Sequence, residues 1–419
     1  MANEFKKGWK IIFAALLGTA CGASPIPFNV FSLVIGPIHE EFGWDYTQIS
    51  AATLFWGIPA ALLAPFYGSL CDRHGVRKVG IASLAAFILV FSSFYFTPNW
   101  IVGWYLFWLA LGAVAIGSTP VIWSRAVAMW FDKHRGLALG ITLLGTSATA
   151  MVVPHFVNFA IGIGGWRLAF PAATLFALFL AMPFIVAWYR EPRPEERPAT
   201  ISAGADGMVS GISLKQAMRG RQFWLLLVST LLISVAYGGA HVQMVEIVKL
   251  HGFTTGDAAT VMSVVALGIL VGRLGIGYLF DRFWAPGVAF PAMLLPALAC
   301  FVLMGTGSSF AFVALGGFLI GVAAGTESDI VAFMTARYFG LRHYGKIYGS
   351  LYAPFGIGSS ISPMLYGAVR DATGTYDIML GVAIGLFGVG GALLLGLGRY
   401  PDFNRVQIED LAPAEISQV

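Results

Sequence analysis

A chain of 419 residues that is 58% apolar and only 11% charged has too little polar surface to solvate a globule, since soluble domains run at about 25% charged. A soluble enzyme is therefore excluded. The net charge of +4 reflects a lopsided loop distribution and gives no reason to expect nucleic acid as a partner.

With no water in a bilayer core, backbone groups pair only inside helices or closed barrels. The apolar runs are continuous and about 20 residues long, which selects helices. Twelve spans are expected, at 9–37, 47–70, 79–97, 101–130, 137–161, 168–189, 223–249, 257–280, 286–306, 310–336, 347–369 and 377–397. The first contains Pro25 and Pro27 and is too long for a cleaved signal peptide.

Basic residues set the expected orientation. One set of loops holds Lys6, Lys7 and Lys10, then Arg73, Arg77 and Lys78, Lys133 and Arg135, the stretch from Arg190 to Arg221, Arg282, Arg337 to Lys346, and Arg399 with Arg405. The other set holds only Arg167, Lys249 and Arg370. Both termini are expected on the cytoplasmic side of a cell membrane, the bacterial inner membrane. Residues 190–222, rich in proline and mixed charge at their start, read as a cytoplasmic linker. The piece from Ile212 to Phe223 is expected to lie as an amphipathic helix on the inner leaflet. The linker separates an N-terminal half, 1–189, from a C-terminal half and short tail, 223–419. Cys21, Cys71 and Cys300 are far apart, with neither metal nor disulfide spacing.

The chain repeats itself. Gly68-Ser69-Leu70-Cys71-Asp72-Arg73 closes one span, and Gly277-Tyr278-Leu279-Phe280-Asp281-Arg282 closes another 209 positions later (277 − 68). Gly165-Trp166 and Gly374-Thr375 keep the same offset (374 − 165). Parallel half-repeats in a membrane protein build a transporter with its site between the halves. The fold class expected is all-α, with twelve transmembrane helices in two pseudo-symmetric six-helix halves.

The run Gly68-Ser69-Leu70-Cys71-Asp72-Arg73-His74-Gly75-Val76-Arg77-Lys78 resembles the signature loop between the second and third helices of the major facilitator superfamily, and Gly277 to Arg282 resembles its weaker second copy. The resemblance implies a cytoplasmic gate built from Gly68, Asp72, Arg73, Gly75, Arg77 and Lys78, with Asp281 and Arg282 in the second copy. Trp130-Phe131-Asp132-Lys133-His134-Arg135-Gly136-Leu137-Ala138-Leu139-Gly140 resembles the helix four–five junction of the monocarboxylate and oxalate/formate porters. Arg273 stands where those porters keep an anion-binding arginine. Three positions depart from that pattern. Ile269 replaces a carboxylate of the animal monocarboxylate type, Phe355 falls near the lysine of the oxalate type, and Asn29 falls near a first-helix lysine. Efflux pumps of the superfamily resemble the chain less: Trp108 precedes Gly112 where they keep an arginine, and Gly145 to Pro154 fits their antiporter motif poorly.

An ionisable residue at mid-bilayer is costly and marks function by default. Arg273 lies eight residues before Asp281, about 12 Å above the span end. Glu327 and Asp329 lie about 13–17 Å above the same level, counted from Tyr338. One reading makes Arg273 the anchor for a carboxylate, which guanidinium grips bidentately, and Glu327, with Asp329, the proton carrier. The other makes them a buried ion pair that only joins the eighth and tenth helices. Arg125, about 7.5 Å from its span end, is expected as a gate partner. His241, after Tyr237-Gly238-Gly239, is expected to face substrate together with Tyr237, Asn29, Tyr352 and Trp123. No nucleotide-binding loop, nucleophile triad or metal cluster is present, so no cofactor is expected and an ion or substrate gradient supplies the energy. The expected partners are a small organic anion, protons and membrane lipids, with the protein acting as a monomer. The function expected is proton-coupled uptake of a monocarboxylate-like anion by alternating access. A proton-antiporting exporter of lipophilic compounds and a non-transporting sensor remain the alternatives.

Overall fold

The computed structural model describes residues 2–131, 134–193, 196, 211–340 and 343–401. Nine stretches among these residues are long and apolar enough to cross a bilayer. Spans 2, 4 and 11 complete the dozen. Span 1 comprises Ala2–Ala20 and Pro25–Phe42, span 2 Tyr46–Ser50 and Ala52–His74, and span 3 Val76–Ser93. Span 4 comprises Ile101–Val114 and Pro120–Trp130, span 5 is Arg135–Gly164, and span 6 runs from Ala169–Leu175 to Met182–Trp188. Span 7 comprises Arg221–Val242 and Met244–Leu250; spans 8 to 12 are Thr255–Arg282, Ala285–Val302, Phe310–Phe339, Tyr344–Thr373 and Asp377–Leu395.

Proline places the breaks. Pro25 and Pro120 stand in the first turns of their helices, where a missing N–H costs nothing. Before them, Cys21–Ser24 and Ala115–Thr119 leave the α-helical path, and Gly22 meets the Ser118 carbonyl so closely that no side chain fits between. The two interrupted helices thus touch at their interruptions. The linker part that is described holds a shorter helix than expected, Leu214–Arg219, capped by Ser213 and Gln216. It ends because Gly220 turns extended, at ψ 141°. Residues 197–210 lie outside the described residues.

The duplication persists at the level of single contacts. Gly112 of span 4 abuts the Trp56 carbonyl of span 2, and Gly321 of span 10 abuts the Val265 carbonyl of span 8; both members of the second pair stand 209 positions after the first. Small residues let backbones touch where lipid supplies no hydrophobic drive. Gly268, Gly272 and Gly325 extend the span 8–span 10 contact, and a Cβ on Gly325 would stand 3.0 Å from the Arg273 amide nitrogen.

The halves meet along two seams, span 2 with span 11 and span 5 with span 8. Their hydrogen bonds run from mid-height to the end remote from Ala2 and Pro401, here termed the distal end. Asp371 of span 11 accepts from the Tyr46 and Thr47 amides, at 3.0 and 2.7 Å, and from the Thr47 hydroxyl. A carboxylate from one half thus caps the first turn of a helix in the other, where a negative charge also suits the helix dipole. Below it, Gln243 donates to Ser50 Oγ at 2.8 Å and accepts from Tyr376 at 3.0 Å. Thr53 donates to the Ser360 carbonyl at 2.7 Å. Buried Glu246 takes Tyr46 Oη at 3.3 Å and Lys249 Nζ at 3.0 Å. Spans 2 and 11 face each other along this seam.

Asp371→Asn removes the capping charge, worth about 0.5–2 kcal/mol. Spin labels at Gln48 and Thr373 should then show a several-fold larger long-distance population; an unchanged distance distribution would refute the latch. Gly321→Leu forces a side chain into the Val265 backbone, and overpacking of this kind costs about 1–3 kcal/mol. Its melting temperature should fall by several degrees, whereas Gly381→Leu, in open space, should leave it unchanged.

Candidate substrate site between the halves

Arg273 projects from span 8 into the seam. Its Nη1 donates to the Leu143 carbonyl of span 5, in the opposite half, at 3.2 Å, and the residue is half-buried. The cation therefore faces neither bulk lipid nor its own half alone. About three turns nearer the distal end, His155 of span 5 shares a hydrogen bond with Ser263 of span 8 at 2.9 Å, and Ser263 also donates to the Met151 carbonyl. His155 is thus part of a cross-half contact.

Glu327 lies on span 10, two residues past the close approach of Gly325 to Arg273. Its side chain is buried, and Oε1 has no hydrogen-bond partner among the described residues. No ion pair joins it to Arg273, so the helix-joining pair considered from sequence does not form between these two. The side chain of Asp329 lies outside the described residues, as do those of Asp72 and Asp281. Tyr237 stands within electrostatic reach of Glu327, and its ring stacks on His241 with centroids 5.4 Å apart. His241 is buried with Nδ1 lacking a partner among the described residues. Asn29 of span 1 donates to its own helix at Pro25, 2.8 Å, and leaves Oδ1 without a described donor. The membrane core thus holds polar atoms with unused capacity on spans 1, 7 and 10.

Two sequence expectations fare differently. Trp123 is fully buried inside the first half: its indole N–H goes to the Ser118 carbonyl at 2.9 Å, and its ring presses on Gly18 and Gly80. Absent side chains at those glycines make its niche, so it does not line the seam in this structure. Tyr352 stands in a ladder on one face of span 11, Tyr344–Tyr348–Tyr352–Phe355, with successive centroids 5.5, 5.4 and 4.8 Å apart. The i, i+4 spacing of Tyr344 and Tyr348 was the available signal for the rest of that ladder.

Two of the expected gate residues make contacts inside their own half. Arg77 donates to the Val186 carbonyl of its own half at 2.6 Å, and Arg282 stacks on Tyr278 of its own helix at 4.2 Å. Gly75 turns at φ 83°, a left-handed value that glycine adopts freely, and its successor Val76 donates to Glu191 at 2.8 Å. Arg73 and Lys78 are exposed, Gly68 has open space where a Cβ would stand, and Arg125 is exposed near Tyr189. Beyond span 6, Arg190 grips Glu196 through both guanidinium nitrogens at 2.6 and 2.7 Å, holding that carboxyl down to about 2. Tyr46, Thr47, Gln243, Glu246 and Asp371 tie the halves at the distal end and were missed as gate elements.

The arrangement suits passage of a solute between two bundles, and comparison with known proteins agrees. A family model described as Major Facilitator Superfamily matches residues 12–363. The hexuronate transporter of Escherichia coli (strain K12) is 24% identical over 92% of this chain and 93% of its own length. Monocarboxylate transporter 11 of Mus musculus is 24% identical over 94% and 88%. A galacturonate transporter of Dickeya chrysanthemi is 24% identical over 72% of this chain and 90% of its own. Among solved structures, a bacterial homolog of the human lysosomal transporter Spinster, inward-facing and unoccupied, superposes with a TM-score of 0.67 at 16% identity, covering 94% of this chain and 99% of that one. With its twelve-span duplicated fold and a match over most of its length, the chain belongs to the Major Facilitator Superfamily of membrane transporters.

Proposed function

We propose that the protein moves a small organic acid anion across the bacterial inner membrane, with protons, by alternating access. The observation that carries this reading is the reach of Arg273 from one half to the backbone of the other. A solute carboxylate that replaces the Leu143 carbonyl gains a charge-assisted, bidentate partner, and in doing so loosens a contact between the halves. Relatives named for hexuronate, galacturonate, monocarboxylate and 3-(3-hydroxy-phenyl)propionate transport support a carboxylate as the shared chemical feature.

Glu327 serves as the proton carrier. A carboxyl with an undonated oxygen in the membrane interior bears its charge at a cost of several kcal/mol, which ties its proton to the state of the pathway. Tyr237 lies within electrostatic reach of it, with His241 stacked on Tyr237, and Asn29 offers a hydrogen-bond acceptor from the first half. The distribution of basic residues supports an orientation with the end holding Ala2 and Pro401 in the cytoplasm; the latch at Asp371 then closes the outer side and the anion leaves inward. Opening outward requires that latch to break, and the loop from Gly68 to Lys78 with Arg125 to close.

In proteoliposomes, Glu327→Gln should abolish accumulation driven by an imposed pH gradient while preserving solute counterflow; concentrative uptake by this variant would eliminate the proton role. Arg273→Ala should weaken carboxylate binding about 10- to 100-fold, the loss of a charge-assisted bond worth about 1.5–3 kcal/mol, as read by ligand-induced thermal shift. Normal binding would remove the anchor.

A further inference from the structure

Spans 8, 9, 10 and 12 end or begin at one level, near Arg282, Ala285, Phe339 and Leu395. Between those ends lies a groove of about 660 Å³ lined by Arg282, Phe283, Trp284, Arg337, Arg399 and Tyr400, with Gly398. The described lining carries three guanidinium groups and no carboxylate, and all three arginines are exposed. Its floor is built rather than incidental. Trp284 and Tyr338 both donate to the Gly398 carbonyl, and the Ala285 amide donates to Tyr400 Oη at 2.9 Å. Arg337 is held over the Phe333 and Tyr400 rings at 5.4 and 5.2 Å.

We propose that this groove is a binding site for the headgroup of an anionic phospholipid. Guanidinium forks match phosphate oxygens bidentately, and basic pockets among helix ends at the membrane surface hold such headgroups. The rim decides for lipid over a free anion. Phe283 is 61% exposed, Trp284 40% and Tyr278 54%, so apolar and amphipathic rings flank the arginines at the height where headgroup meets acyl chain. A soluble phosphate has no use for those rings, whereas the glycerol backbone and upper chain methylenes pack against them. The site is separate from Arg273 and Glu327, and it joins the ends of four second-half spans. Lipid bound there stabilises the folded protein by mass action.

The full-length protein, purified in detergent, is titrated with phosphatidylglycerol or phosphatidylcholine, and its melting temperature and retained lipid are measured, the latter by native mass spectrometry. Phosphatidylglycerol should raise the melting temperature by about 3 °C or more and remain as a bound adduct; phosphatidylcholine should do neither. The double substitution Arg337→Gln/Arg399→Gln should lose both effects. Because mass spectrometry counts adducts on folded molecules only, a partly unstable variant still reports on lipid binding. Lys215→Gln/Lys346→Gln, in a neighbouring basic groove, should retain both. Three results overturn the proposal: an undiminished adduct on the arginine variant, equal loss on the lysine variant, which signals diffuse charge attraction, or full reproduction of the shift by inorganic phosphate alone.

Discussion

The carboxylate of Asp371 holds the first turn of a helix that belongs to the opposite half. Each six-helix bundle satisfies most of its backbone within its own helices, as the bilayer requires, while the Tyr46 and Thr47 amides take their acceptor from the opposite half. Among the described residues, polar contacts join the bundles at the distal end and along two seams. The Asp371 contacts involve exposed groups, so water can replace them at little cost, while Gln243–Ser50 and Thr53–Ser360 are buried. A joint of this kind can open and close without unfolding either body. Packed apolar surface of the same extent would have fixed the halves in one arrangement.

The two seams are joined by different chemistry. Along spans 2 and 11, the first turn of span 2 is capped from outside by Asp371. Along spans 5 and 8, span 8 caps itself with Thr254 and Asp257, and the halves meet lower down through His155 with Ser263 and Arg273 with Leu143. An approximate duplication thus yields an asymmetric machine. Arg273 and Glu327 both reside in the second half, and the first half meets Arg273 with the Leu143 carbonyl.

Much of the fold was legible because lipid imposes a simple code. Continuous apolar runs marked most spans, and the 209-residue offset that pairs Gly68 with Gly277 recurs in the glycine contacts of Gly112 and Gly321. The intramembrane charges Arg273 and Glu327 were visible for the same reason, since hydrocarbon makes every charge conspicuous. The distal latch was not visible. Asp371 and Tyr46 are 325 positions apart, and each sits beside a loop where charged and aromatic residues are ordinary. Trp123 misled because an aromatic residue on a central span reads alike whether it borders a cavity or fills a niche. Only the glycines at 18 and 80, on other helices, distinguish the two.

The contact of Gly325 with the amide of Arg273 has a mechanical corollary. Spans 8 and 10 are fused backbone to backbone at that height, so the guanidinium and the carboxyl ride on one stiff plate. Their separation cannot change much during a cycle through helix motion alone. Under the proposed function, communication between solute and proton must therefore come from the other bundle sliding past this plate, uncovering one group as it shields the other.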